Sequence, residues 1–94
     1  MRSPPSLAVS INRVYYVGGE VKGPGKQLYL GDTTVTKAIQ SAGDCTDFAK
    51  KTKVRLTRVD GKIITVNCLK AIEDPRLDPP VFPGDKITVP RRIF

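Results

Sequence analysis

Apolar and polar residues alternate with a period of two near both ends of the chain and with a helical period in between. Leu7, Val9 and Ile11 alternate with Ala8, Ser10 and Asn12, the pattern of a half-buried strand. Residues 14–21 continue in β-rich side chains interrupted by Gly18-Gly19, where a bulge is expected. In Gly23-Pro24-Gly25 the proline fixes φ and glycine supplies positive φ, so residues 14–30 are expected to fold back as a hairpin. Val35, Ala38, Ile39 and Ala42 then fall at i, i+3, i+4 and i+7, which predicts a helix capped by Thr34 and stopped by Gly43. The β-rich runs 54–59 and 62–68 flank Asp60-Gly61, the signature of a two-residue type I′ hairpin. Residues 69–73 can form one helical turn before Pro75, and Pro79-Pro80 and Pro83-Gly84 break the chain ahead of a last strand, Lys86–Val89.

Hairpin, helix, hairpin and closing strand is the order of an α+β fold of the β-grasp (ubiquitin-like) type, a mixed sheet packed on one main helix. The helix offers a narrow apolar face, so the sheet must curl closely over it, with Ile39 expected at the centre of the core.

The residues Val14-Tyr15-Tyr16-Val17-Gly18-Gly19-Glu20-Val21-Lys22-Gly23-Pro24-Gly25, the stretch 34–43, and Pro83-Gly84-Asp85 ahead of Ile87-Thr88-Val89-Pro90 together resemble the soluble-ligand-binding β-grasp (SLBB) family. That family's pattern is a "V-x-G-E-V-x-x-P-G" hairpin, a helix ending in "A-G-G", a "V-x-L-x-R" strand and a terminal "P-G-D-x-I-x-V-P". Asp44-Cys45 departs from the Gly-Leu often found there, and Cys68 stands where Leu is common. The resemblance implies a domain over residues 14–92 preceded by a lead-in or linker strand over 1–13, since Pro5-Ser6-Leu7-Ala8-Val9-Ser10-Ile11 is similar to the strand joining an export domain to such a module. It further implies a non-catalytic module of a polysaccharide export protein, periplasmic and associated with the outer membrane. Its partners would be other subunits and domains of the export complex, and acidic polysaccharide.

Composition narrows the chemistry. The 94 residues suit one domain, and 39% hydrophobic with 27% charged residues is a globular mix. Histidine is absent, which removes the commonest metal ligand and general base. Cys45 and Cys68 are 23 positions apart and fit neither zinc-ligand nor Cys-x-x-Cys spacing, so no metal and no cofactor is expected. They read as buried free thiols, with a disulfide as the alternative in an oxidising compartment. The acids sit in turns (Asp32, Asp44, Asp60, Asp74, Asp78, Asp85), where capping accounts for them, and Cys45 has no histidine beside it, so no enzymatic activity is expected.

Sixteen Lys+Arg against nine Asp+Glu give +7, compatible with nucleic acid, anionic polysaccharide, an anionic membrane surface, or simply a soluble exterior. With no Trp and 6% aromatics there are few platforms for stacking bases, so a basic nucleic-acid-binding or protein-interaction module is the alternative and not the favoured reading. The longest apolar run, residues 14–17, is far short of the roughly 20 residues that span a bilayer. No secretory signal is legible at the start, as expected of an excised module. A ubiquitin-like carrier would need a Gly-Gly end for activation, whereas the last residues are Arg91-Arg92-Ile93-Phe94.

Charge is densest at Lys50, Lys51, Lys53, Arg55 and Arg58, and strand alternation sets Lys53 and Arg55 opposite Val54 and Leu56. The candidate ligand- or partner-contact residues are therefore Tyr15, Lys22, Lys53 and Arg55, the tyrosine because an amphipathic ring suits sugar stacking or a subunit interface.

Overall fold

A computed structural model describes residues 13–92. The strand expected over residues 7–11 lies outside the described residues. Strand β1 (Val14–Gly19) pairs antiparallel with β2 (Gly25–Leu28), and helix α1 (Val35–Ser41) follows. A 3-10 turn (Lys51–Lys53) leads into β3 (Val54–Thr57), which pairs antiparallel with β4 (Ile63–Val66). A second short helix, α2 (Cys68–Glu73), and a 3-10 turn (Pro75–Leu77) precede β5 (Lys86–Val89). The five strands form one mixed sheet in the order β2-β1-β5-β3-β4, with β1 and β5 parallel. This is the expected β-grasp arrangement.

The inner face of the sheet is apolar because alternate strand residues face one side. Val17, Ile87, Leu56 and Ile64 lie opposite one another in a rung across four strands, and the first three are almost completely buried. Helix α1 closes this face with Val35, Ala38 and Ile39. Ile39 is buried as expected, but the fully enclosed centre is held by Leu56, Ile87 and Val17, because Ile39 sits toward the seam between the helices. Thr34 caps α1, its hydroxyl accepting from the Lys37 amide at 3.5 Å. Asp78 adds a carboxylate from the far end of the chain, accepting from the Thr36 amide at 3.1 Å and from the Thr36 hydroxyl. Gly43, at φ +89°, ends the helix as expected.

Three local expectations need correction. No bulge occurs at Gly18-Gly19, where the ladder to Thr88 and Val89 is continuous. Gly19 serves close approach instead: its φ is +86°, and a Cβ there would lie 2.1 Å from the Val89 carbonyl oxygen. The β3–β4 connection is not a two-residue type I′ turn, because Gly61 has positive φ but Asp60 does not. The Gly61 amide donates to the Arg58 carbonyl and the Arg58 amide to Lys62, giving a three-residue loop closed by a left-handed glycine. Finally, β4 stops at Val66 and Cys68 opens α2, because the Asn67 side chain accepts from the Leu69 and Lys70 amides at 3.1 and 3.3 Å and caps a helix there.

Candidate ligand-binding surface

The candidate residues do not converge. Tyr15 faces the core and is 2% exposed, with its hydroxyl bonded to Ser41. Burial pushes its hydroxyl above the ordinary value, opposed by that bond. Its ring therefore packs the interior, a correction to the surface role expected of it, and the tyrosine of β1 that reaches solvent is Tyr16, at 44%. Lys22 is exposed on the β1–β2 connection, where its amide donates to the Asp44 carbonyl. Lys53 is exposed in the 3-10 turn before β3, and Arg55 stands on the outer face of the sheet.

The register defines that outer face. Tyr16 lies opposite Lys26 on one side and Lys86 on the other, and Lys86 lies opposite Thr57. One row along, Thr88 lies opposite Gly18 and Arg55, and Arg55 opposite Thr65. Lys26, Arg55 and Lys86 are all exposed. Alternation alone sets Tyr16 on the side of β1 opposite Tyr15 and Val17, and Lys86 on the side of β5 opposite Ile87, without saying which side is covered. That they share a row follows only from the parallel β1–β5 pairing, a long-range contact without a local signal in the sequence.

Arg58, the last member of the basic run, does not join this surface. Its guanidinium reaches the carboxylate of Asp85 at 2.5 Å, donates to the Pro80 carbonyl at 2.9 Å and lies 5.1 Å from the centre of the Phe82 ring. Asp85, 1% exposed, also accepts from the Phe82 amide at 3.0 Å. The Pro-Gly-Asp turn thus carries a buried ion pair that locks the start of β5 to the end of β3, where turn formation alone was expected of Asp85.

At one end of the sheet an open depression of about 510 Å³ is lined by Thr46, Asp47, Lys50, Lys51, Leu69 and Arg92, among others. Arg92 donates to the Asp47 carbonyl at 2.9 Å, and Arg91 lies 5.1 Å from the centre of the Phe48 ring.

A smaller cavity of about 90 Å³ between the helices is lined by Ile39, Ile72, Cys45 and Cys68, among others. Both cysteines are free, Cys68 buried and Cys45 half-buried. Burial first, then the neighbouring Cys45 and Asp78 charges, push the Cys68 thiol from 9.0 up to about 12, against an opposing effect of Lys51. Cys45 is also raised, by burial and then by Asp44, again opposed by Lys51. Because the folded state holds the Cys68 proton more tightly than the unfolded chain, the stabilisation is complete below about pH 9 and is lost as pH rises toward about 12. Urea midpoints are expected to fall across that window, and to fall less steeply in Cys68→Ala, where the slope difference isolates this thiol from the lysines and tyrosines. Equal slopes would contradict the assignment.

Among the described residues, no group of three or more His, Cys, Asp or Glu could hold a metal ion, and no helix is long and apolar enough to cross a membrane. No curated protein matches the chain. The model of the SLBB domain matches residues 14–67, from the first residue of β1 to the residue that caps α2. The family is one of non-catalytic binding domains, typical of polysaccharide export proteins in the periplasm. A match over more than half of the chain, on a sheet with the β-grasp strand order, makes the chain a member of the SLBB domain family.

Proposed function

We propose that residues 14–92 form a non-catalytic module of a polysaccharide export protein, which works at the periplasmic side of the outer membrane, contacts other subunits or domains of the export complex and binds the exported glycan. The observation that carries this reading is the SLBB match over residues 14–67. The side-chain chemistry agrees with it. Several acids are already engaged, Asp85 with Arg58, Asp74 with Arg76, Asp78 with Thr36 and Glu20 with Thr46, and serve structure. Neither cysteine is poised as a nucleophile, since both thiols are held in their protonated form at neutral pH.

The test is genetic. In-frame deletion of residues 14–92 from the parent gene is expected to abolish surface polysaccharide while polymer still accumulates inside the cell. Unchanged surface polysaccharide would overturn the reading.

A further inference from the structure

We propose that the open face of the sheet binds a carboxylated polysaccharide through the row Lys26, Tyr16 and Lys86, with Arg55 beside it. This rests on the export reading above and supplies the ligand class and the site. Directly opposed residues on neighbouring strands have Cβ atoms about 5 Å apart. Tyr16 is therefore flanked on both sides by a lysine stem, and the two lysines stand two strand spacings, about 9–10 Å, apart. Arg55 lies opposite Thr88, which is two residues along β5 from Lys86, so a third cation shares the face one row away.

Among the described residues these charges have no ion-pair partner. None of the five described strands contains an Asp or Glu. The side-chain ion pairs among the described residues are Arg58 with Asp85 and Arg76 with Asp74, neither of which involves Lys26, Arg55 or Lys86. Protection of a sheet edge accounts for lysines on outer strands, and Lys26 on β2 fits that explanation. Lys86 does not, because β5 is the central strand and has no edge to protect. A cation in the middle of a sheet face, next to a half-exposed tyrosine, is better matched to an external anion.

The geometry favours a sugar acid. An exposed ring between two ammonium groups offers a flat apolar surface to the C–H face of a pyranose while the carboxylates on either side meet the lysines. Hydroxyls of Thr57 and Thr88 in the same rows can donate to or accept from sugar hydroxyls. Single-stranded nucleic acid draws on several successive aromatic platforms, and here one ring stands in the row.

The experiment is calorimetric titration of the 94-residue chain with a polygalacturonate oligomer, a neutral dextran oligomer and single-stranded DNA of matched charge, each at low and moderate salt. Polygalacturonate is expected to bind and dextran not. The double variant K26E/K86E should weaken binding about tenfold or more, while Lys70→Glu, an equal change of charge per site on α2, should alter it less than about twofold. Tyr16→Ala should weaken binding about fivefold without changing its salt dependence, since no charge is removed. Urea midpoints near that of the parent chain certify that the variants are folded. Absence of polygalacturonate binding, equal weakening by Lys70→Glu, or DNA bound as tightly as polygalacturonate would each overturn the proposal. Loss of export on deleting the module, combined with no polygalacturonate binding, would remove this site and leave the export role standing.

Discussion

Asp85→Ala is expected to lower the unfolding free energy by about 3–5 kcal/mol, because it strands the Arg58 guanidinium in a site built around a counter-charge. Asp85 is 1% exposed, and its carboxylate joins three parts of the fold: Arg58 after β3, the Phe82 amide in the preceding loop, and its own strand. Removing it also orphans the Phe82 amide. The Arg58 side chain keeps 19% of its exposure and can draw some hydration, which places the loss toward the lower end of the range. A domain of this size holds roughly 5–14 kcal/mol in total, so the loss removes a large share of its stability. Urea unfolding followed by circular dichroism measures the effect. The paired variant D85A/R58M should recover part of the loss, since it leaves no buried charge alone. A loss under about 1 kcal/mol in Asp85→Ala would mean that the pair is structurally idle.

Gly19→Ala is expected to be at least as damaging, about 3 kcal/mol or more, for two independent reasons. An L-residue at φ +86° costs about 1–2 kcal/mol in backbone strain. Its Cβ would also sit 2.1 Å from the Val89 carbonyl oxygen, so the parallel β1–β5 ladder must part where Gly19 pairs with the buried Val89. Gly61 supplies the control: its φ of +96° is equally unsuited to alanine, but nothing lies within 4 Å of the added carbon. Gly61→Ala should therefore lose only the strain, about 1–2 kcal/mol. Melting temperatures of the two variants separate close approach from torsion, and equal losses would refute the role given to Gly19.

The fold was legible wherever the signal is local. The spacing of Val35, Ala38, Ile39 and Ala42 between Thr34 and Gly43 gives α1, and the proline and glycine breaks isolate β5. Turn detail was less so: Asp60-Gly61 reads as a type I′ pair, and only the sign of φ at Asp60 separates that from a three-residue loop. The site was least legible. Tyr15 and Tyr16 are adjacent and chemically identical, and the alternation assigns them to opposite faces without saying which face is covered until the helix is docked. Arg58 and Asp85 look like one of many surface cations and one of many turn acids, because a buried ion pair across 27 residues has no periodicity to announce it.

Strand β5 lies beyond the family match yet occupies the middle of the sheet, between the strand that opens the described fold and the strand that follows the helix. Until residues 86–89 join the sheet, β1 and β3 have no common neighbour, and the folding chain carries two separate ribbons, each only marginally stable by itself. Closure thus depends on pairing the first described strand with the last, a topology that folds slowly compared with helical bundles. Before β5 docks, the facing edges of β1 and β3 are unpaired and open to aggregation, which makes this the step at which the domain is most exposed to misassembly.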